Sequence, residues 1–501
     1  MPLSVSRLVH SGDNVIKKIR NKSPKHPWFK CKGCLHFDFA LERAAAEKYV
    51  TDPKNIVRHR FSPLIHYTKI SRKIQRDRKA EQVYKLAGKV GNKPALIVKE
   101  KPRNIFYTSH ADGYIYSYYA HILQQAYVRF LSANNLADNV TAYRSIAKNG
   151  IKFCNSHFAN EAFGFVRVTS GCHILCYDIS KFFDNLSVAV LKEKLAQILN
   201  ERRLPDDHYK VFESLVNFHY VEEGQLIENF KGKFAKNPRQ HGLIKESGGS
   251  KKNRICDYPS LRNLEKKYKD RGRGLIKNKD TLDITGIPQG TAISGLLANI
   301  FMIDFDIAVK SYIEGNGGMY RRYSDDIFIA VPPTVEFGEV DDFIKSQLKK
   351  CCAESIQLND NKTEKRIYQA KPGKNGLILD QNRQPAKAQY LGFHFDGHNV
   401  FIRNSSMSKD RGKIIQLIRK HKKRRGKIDT AKVFKQRSAR IITPYDNKNA
   451  KGFIRYVEGA AGVHDNSATI VAQIKKDDRF IKRAIRRERV RKSGRNQAAA
   501  V

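Results

Sequence analysis

The fold is decided by residues 320–331, YRRYSDDIFIAV, in which apolar residues lie on both sides of a short polar turn. Strand-forming residues on both sides of Ser324-Asp325-Asp326 predict a β-hairpin that presents two adjacent carboxylates at its tip. Like charges this close repel, so the pair is stable mainly when a divalent cation lies between it and another acidic group. Standing alone, the motif would be interpreted as a solvated acidic turn.

Two segments upstream of this hairpin also carry information about the fold. Residues 172–178 (CHILCYD) have strand-forming character and end at Asp178, and a polar-aromatic turn follows. Residues 286–294 (GIPQGTAIS) contain a proline and two glycines, which predict a tight loop that opens an apolar helix. A strand-end Asp, a Pro-Gln loop before a helix and an Asp-Asp hairpin, in this order, resemble the palm of a reverse transcriptase. The three segments match its motifs A, B and C.

Further segments extend the resemblance in the same order. Residues 358–363 resemble motif D, residues 389–395 resemble motif E or the primer grip, and residues 101–105 resemble the fingers motif that meets the nucleotide. The resemblance implies an α+β right-hand polymerase with fingers, a palm with an antiparallel sheet, a thumb and a basic helical C-terminal region. The expected division is an N-terminal extension at 1–60, fingers at 61–170, a palm at 171–395 with a basic helical insert at about 191–283, and a basic helical thumb and C-terminal region at 396–501.

Three N-terminal segments narrow the resemblance to one subfamily. Residues 109–120 (SHADGYIYSYYA), residues 143–145 and residues 35–38 are similar to the bacterial defence-associated and abortive-infection reverse transcriptases of the unknown groups. This similarity implies an RNA-directed DNA polymerase of antiphage defence that copies a dedicated non-coding RNA into cDNA.

Three alternatives stay open. The first is a retron or mobile-element reverse transcriptase, and the second is a catalytically idle RNA-binding scaffold. The third is a template-independent polymerase with a repetitive or homopolymeric product. Three mutually repelling acids argue against the idle scaffold, because a protein without catalysis has no need of them.

The resemblance also implies a site for two-metal nucleotidyl transfer. Two Mg²⁺ ions about 3.5–4 Å apart, with Mn²⁺ as the alternative, activate the attacking hydroxyl and stabilise the leaving group. Asp178 and Asp325 are expected to bridge the ions, and Asp326 is expected to be the third acid. The backbone carbonyl of Ile179 is a further expected ligand, and Lys362 is the expected acid for the leaving pyrophosphate.

Nucleotide and primer contacts are implied in the same way. Phe183, five residues after Asp178, would lie under the sugar and exclude a 2′-hydroxyl; its alternative role is ordinary core packing. Thr291-Ala292 departs from the family, whose members often have Ser-Pro there, so the template contacts of this loop stay open. The remaining expected contacts are Lys101 and Arg103 with the triphosphate, Gln289 and Gly290 with the nucleotide or template, and Tyr323, Leu391 and Gly392 with the primer end.

The charge of the chain indicates a polyanionic partner. Ninety-four Lys and Arg residues against 49 Asp and Glu give 501 residues a net charge of +45, which favours nucleic acid. Residues 401–501 alone hold 29 Lys and Arg against 8 Asp and Glu. A solvated helix face is the ordinary interpretation of such runs, but their density favours an RNA or DNA track. The expected RNA-binding residues are Lys420, Lys422, Lys423, Arg424, Arg425, Arg486, Arg487, Arg489, Arg491 and Lys492.

The sequence predicts few partners besides nucleic acid. No run is long enough for a membrane span and residues 1–20 have no signal-peptide core, so a cytoplasmic protein without a membrane partner is expected. Cys31, Cys34 and His36 form half of a zinc site at most, and no second Cys-x-x-Cys completes it, so zinc is not expected. The expected partners are dNTPs, the RNA template and the cDNA product, and a homo-oligomer stays open.

Overall fold

The computed structural model describes residues 27–30, 34–76, 96–230, 244–245, 251–252, 254–371, 374–425, 428, 453–465 and 467–490. In chain order the helices are α1 Arg43–Val50, α2 Pro53–Val57, α3 His110–Ala133, α4 Asn155–Val168, α5 Val188–Leu199, α6 Asp206–Val216, α7 Glu223–Asn229, α8 Tyr258–Lys269, α9 Ser294–Phe301, α10 Ile303–Gly315, α11 Phe337–Cys351, α12 Asn404–Arg425, α13 Phe453–Val463 and α14 Ala468–Val490.

The strands fall into several antiparallel or mixed sheets. They are β1 Leu64–Thr68, β2 Ser71–Arg76, β3 Leu96–Lys101, β4 Asn104–Tyr107, β5 Ala147–Lys148, β6 Ile151–Lys152, β7 Gly171–Asp178, β8 His219–Glu222, β9 Ile244–Lys245, β10 Lys251–Lys252, β11 Lys277–Asn278, β12 Met319–Tyr323, β13 Asp326–Val331, β14 Glu364–Lys371, β15 Lys374–Leu379, β16 Ala388–Tyr390, β17 Phe393–Phe395 and β18 Val400–Ile402.

The central sheet has the order β12-β13-β7-β14-β15, and all of its pairs are antiparallel. Along β13, Ile327, Ile329 and Val331 enter one hydrophobic cluster. Phe328 and Ala330 enter another. Alternate residues of a strand point to opposite faces, so both faces of this sheet are covered. This explains why residues 327–331 form an unbroken apolar run.

Different elements cover the two faces. The first cluster draws on α3, α5, α6, α9, α10 and α11, whereas the second draws on α4, α13 and the small sheet β16-β17-β18. The hairpin joining β12 and β13 and the C-terminal end of β7 lie at one end of the central sheet. The packed layers therefore hold these strand ends in fixed register.

A second sheet has the order β11-β8-β1-β4 and includes part of the segment expected as an insert at about 191–283. Within that segment, residues 219–222 pair in parallel with 64–68, and residues 277–278 pair with 219–222. Tyr220 and Val221 are buried there, so burial of these apolar residues draws the segment into this sheet. The second sheet thus joins this segment to strands β1 and β4, and its role as an insert in the palm stays a prediction.

The described part of the C-terminal region contains strand β18 and then the helices α12, α13 and α14. Helices α12 and α14 pack through Ile414, Ile418, Ile481 and Ile485. Arg411 also pairs with the fully buried Asp477. In the described part of the chain, no helix is long and apolar enough to cross a membrane.

Candidate active site

The two expected acidic segments meet. Strand β13 pairs with β7 so that Asp326 lies opposite Asp178, and the backbone N–H of Ile179 donates to the carbonyl oxygen of Asp325 over 3.1 Å. Between the strands β12 and β13, Ser324 has φ +60°, a left-handed conformation that makes a tight turn. Residues about 150 positions apart in sequence are thus brought together by strand register.

The carboxylates influence one another. Burial raises the pKa of Asp325, and the charge of Asp178 raises it further. Asp326 reaches the solvent, yet the protein around it removes part of its hydration and raises its pKa. The charges of Asp325 and Asp178 add to that rise. The three acids therefore form a site with unfavourable negative charge that a cation would relieve.

Lys362 supplies a positive charge at this site. Residues 357–359 run beside the end of β7, because the Ser180 amide donates to Gln357 O and the Asn359 amide donates to Asp178 O. The turn that follows brings the Lys362 ammonium into an ion pair with Asp178. The segment resembling motif D therefore lies against the segment resembling motif A.

Hard carboxylate oxygens such as these are the donors that Mg²⁺ prefers. Asp178 and Asp325, the expected bridging pair, are close enough for their charges to interact. Among the residues that the structure describes, no three His, Cys, Asp or Glu side chains converge on one point as a metal cluster. The donor chemistry fits a divalent cation, which would compete with Lys362 for Asp178. The coordination by the Ile179 carbonyl stays a prediction.

Phe183 is half-buried and packs against the large core cluster. Its backbone carbonyl accepts from the amide of Ile287 over 3.0 Å, and the carbonyl of Asp184 accepts from Gly286 over 2.7 Å. A Cβ at Gly286 would lie 2.3 Å from the carbonyl oxygen of Phe183, so this approach requires glycine. The backbone thereby ties the turn after Asp178 to the loop with Gln289.

The loop with Gln289 also touches the second sheet. The amide of Phe106 in β4 donates to the carbonyl of Gln289 over 2.9 Å. Gly290 has φ +123°, and a Cβ there would lie 2.4 Å from the carbonyl oxygen of Phe106. Glycine is therefore needed at position 290, because of the positive φ and because of the close approach of the Phe106 carbonyl oxygen. The Thr291 hydroxyl forms a hydrogen bond with the Ser294 hydroxyl.

Lys101 and Arg103 flank the turn between β3 and β4. The amide and carbonyl of Arg103 both pair with the backbone of Lys69, over 3.1 and 2.8 Å. Burial lowers the pKa of Lys101, the charges of Lys362 and Arg103 lower it further, and those of Asp178 and Asp325 raise it. Lys101 is thus within electrostatic reach of the carboxylates, as a triphosphate-binding cation would be.

The expected primer contacts lie on two hairpins. Tyr323 ends β12 beside the acidic turn, and its ring centroid is 6.5 Å from that of Phe158. Leu391 and Gly392 form the two-residue turn between β16 and β17, with φ +45° and +90°. Positive φ at both positions is typical of a tight hairpin turn. Contact of these residues with a primer stays a prediction.

The expected RNA-binding residues lie partly within the described chain. Lys420, Arg486 and Arg487 are exposed, whereas Lys422 donates to the backbone carbonyl of Glu488 and so joins α12 to α14. Arg491 and Lys492 lie outside the described residues, as do the side chains of Lys423, Arg424, Arg425 and Arg489. Helix α14 carries an exposed basic stripe, which we define as Lys475, Lys476, Arg479, Lys482, Arg483, Arg486 and Arg487.

Sequence reasoning missed a buried ion pair beneath the turn. Arg322 and Asp306 are both fully buried, and the guanidinium binds the carboxylate through Nε and Nη2 over 2.7 and 2.6 Å. Arg322 Nη1 also donates to Asn299 Oδ1 and to the carbonyl oxygen of Ser324, each over 3.1 Å. Asn299 and Asp306 are polar residues in an apolar helical run, which is the sequence signal that could have revealed the network.

Comparison with known proteins gives the same interpretation for part of the chain. Residues 262–395 match the family model described as reverse transcriptase (RNA-dependent DNA polymerase). This segment is similar to a reverse transcriptase domain. It contains the acidic hairpin and the Gln289 loop, and begins after Asp178. The matched family consists of enzymes, the RNA-directed DNA polymerases, and the mixed α and β architecture around the segment fits a right-hand polymerase.

Solved structures with detectable similarity include fungal telomerases. Apo telomerase from Candida tropicalis, truncated from its C-terminal domain, is 13% identical, with 61% of this chain and 53% of that chain covered and a TM-score of 0.36. Telomerase from Candida albicans with a fragment of telomeric RNA is 12% identical, with coverage of 89% and 66% and a TM-score of 0.34. The chain thus spans less than two thirds of either. No curated protein sequence matches it.

Proposed function

We propose that the protein is an RNA-directed DNA polymerase that copies a dedicated non-coding RNA into cDNA as part of a bacterial antiphage system. The observation that carries the polymerase proposal is the pairing of Asp326 with Asp178 across β13 and β7, with Asp325 in the adjoining turn. Burial and mutual repulsion raise the pKa values of Asp325 and Asp326. An arrangement this unfavourable is typical of a catalytic site.

The residues of the site take separate roles in this proposal. Asp178, Asp325 and Asp326 would hold two divalent cations, whose chemistry is to activate the 3′-hydroxyl and stabilise the pyrophosphate. Lys101 and Arg103 bind the triphosphate, and Lys362 moves from Asp178 to protonate the leaving group.

The loops around the acids select the substrate. The ring of Phe183 occupies the space that a 2′-hydroxyl needs, so deoxynucleotides are favoured. Gln289 and Gly290 hold the nucleotide against β4, since the loop and the strand are joined by a backbone hydrogen bond of 2.9 Å.

An RNA partner is supported by charge. The basic stripe of α14 places seven cations over three turns of helix, enough to follow a phosphate backbone. Its opposite side is fixed, because Ile481 and Ile485 pack on α12. A rigid basic helix suits the retention of a structured RNA through its phosphates.

The defence role is supported by the N-terminal resemblance. Asp38 accepts hydrogen bonds from the amides of His110 and Ala111 at the start of α3, and Asp112 binds His59 over 2.7 Å. Two of the three segments that resemble the defence-associated enzymes, 35–38 and 109–120, are therefore in direct contact.

Two experiments test the proposal. Incorporation of dNTPs should fall by orders of magnitude in the Asp325→Ala/Asp326→Ala variant, because losing the metal ligands removes several kcal/mol of transition-state stabilisation. Sequencing the nucleic acids that copurify with the full chain should yield one RNA species and its complementary DNA. Unaltered synthesis by the double variant would contradict the polymerase assignment, and a random RNA population would contradict the dedicated template.

A further inference from the structure

Tyr143 combines exposure with backbone strain. It is 49% exposed and has φ +56°, in the left-handed region that bulky residues rarely adopt. Such strain persists only where the surrounding structure imposes it, and strained residues cluster at functional sites. Nothing proposed so far explains why a large aromatic residue occupies this position.

Contacts from two elements of the active site fix the ring. A Cβ at Gly295 would lie 2.7 Å from Cδ1 of Tyr143, so the ring lies directly on the first turn of α9. The Tyr143 hydroxyl lies 3.1 Å from the Ser324 hydroxyl in the acidic turn. One side of the ring is therefore packed, and the side chain still remains half open to solvent.

The backbone before Tyr143 is equally constrained. The backbone carbonyl of Ala142 accepts a hydrogen bond from the side-chain amide of Asn299 over 2.9 Å. The backbone amide of Thr141 donates to the backbone carbonyl of Arg322 over 3.0 Å. These partners belong to α9 and β12, which carry the Gln289 loop and the acidic turn. The ring cannot move independently of the catalytic elements.

We infer that the exposed face of Tyr143 stacks on the free face of the base at the end of the bound template–primer duplex, beside the acidic turn. The inference rests on the proposed polymerase function. Stacking on an aromatic ring is tolerant of sequence, because every base has a π-face, and it needs a rigid ring with one free side. Packing on Gly295 and the hydrogen bond to Ser324 provide this rigidity.

A purely structural role predicts something different. A ring that only stabilises the fold would be expected to be more deeply buried. Its replacement by glycine would lose the packing and lower the melting temperature. If Tyr143 serves binding, leucine and glycine both remove the half-exposed ring, but glycine also relieves the left-handed strain. Duplex binding should then fall in both variants, while the melting temperature of Tyr143→Gly should not fall below that of Tyr143→Leu.

The test uses the full chain, a labelled RNA–DNA duplex and fluorescence anisotropy without dNTPs. Tyr143→Phe keeps the ring and should bind within about twofold of the wild type, whereas Tyr143→Leu and Tyr143→Gly should weaken binding about 5- to 150-fold, the range of one base–aromatic stack. Gly295→Ala should weaken it too, by displacing the ring. Tyr209→Leu is the matched control, because Tyr209 is 42% exposed but lies on α6. This variant should bind the duplex with the affinity of the wild type.

Each outcome is decisive. Unchanged affinity in Tyr143→Leu and Tyr143→Gly, with the wild type binding tightly, would overturn the assignment of Tyr143 alone. Equal loss in Tyr143→Phe would show that the hydroxyl acts instead of the ring, and would also overturn it. A wild type that neither binds nor extends the duplex would instead contradict the proposed polymerase function.

Discussion

Replacing Asp306 by leucine tests how the acidic turn is supported. The substitution removes the carboxylate that binds Arg322 through two hydrogen bonds at full burial, and it also removes the acceptor of the Tyr320 hydroxyl. Burial lowers the pKa of Arg322, but the charge and hydrogen bonds of Asp306 raise it above its ordinary value. The guanidinium therefore stays charged and would be left uncompensated.

The expected cost is large. Breaking one partner of a buried ion pair destabilises a protein by about 3–5 kcal/mol, and the lost Tyr320 hydrogen bond adds about 1 kcal/mol. Replacing both partners by apolar residues is often neutral or stabilising by about 1–4 kcal/mol. Arg322→Met/Asp306→Leu should therefore recover most of the free energy of unfolding that Asp306→Leu loses.

The polymerase rate should not recover with stability. In the double variant the carbonyl of Ser324 loses its 3.1 Å donor from Arg322, so the turn that carries Asp325 is held less firmly. A loss of about 1.4 kcal/mol of transition-state stabilisation lowers kcat tenfold, which is the size of effect expected for one such hydrogen bond.

Chemical unfolding followed by circular dichroism and single-turnover primer extension measure the two quantities. Asp304→Leu, on the same helix, is the matched control: it breaks the ion pair with Lys194 away from the turn and should lower stability without lowering kcat. If the double variant regains the wild-type rate as well as its stability, Arg322 does not position the turn and the reasoning is refuted.

Three further predictions address the loop, the sugar and the basic stripe. Gly290→Ala should lower the affinity for the nucleotide, since the added Cβ would lie 2.4 Å from the Phe106 carbonyl oxygen. Gly224→Ala is the control and should leave the affinity unchanged, because its Cβ would meet no atom within 4 Å. Equal KM values for the nucleotide in the two variants would contradict this prediction. Phe183→Ala should admit ribonucleotides, measured as the ratio of rNTP to dNTP incorporation, and an unchanged ratio would mean that Phe183 only packs. Replacing Lys482, Arg483, Arg486 and Arg487 with glutamine should flatten the dependence of RNA affinity on salt by about 0.7 per lost contact, whereas an unchanged slope would place the RNA elsewhere.

The local sequence pattern was sufficient to predict the acidic hairpin and the strand that pairs with it. The apolar run after Asp326 and the strand ending at Asp178 both have strand character, and two carboxylates at strand ends predict proximity once the sheet order is assumed. The left-handed Ser324 and the tight Leu391-Gly392 turn also follow from local sequence, because short polar or glycine turns join adjacent strands.

Long-range pairing was not predictable in the same way. Residues 219–222 and 277–278 are too short to show a period. Residues 219–222 pair with 64–68 across more than a hundred residues, and residues 277–278 pair with 219–222. Arg322 follows another arginine between two tyrosines, so its charge indicates a solvated residue, and only the packing of α10 against β12 buries it. Tyr143 shows no strain in sequence, since its φ is set by contacts with Gly295 and Ser324.

Primer extension on a defined heteropolymeric RNA template, with the product sequenced, tests the central claim most directly. An RNA-directed DNA polymerase built on Asp178, Asp325 and Asp326 should make DNA complementary to that template, and Asp325→Ala/Asp326→Ala should make none above background. A product whose sequence ignores the template, or equal synthesis by the double variant, would contradict the claim.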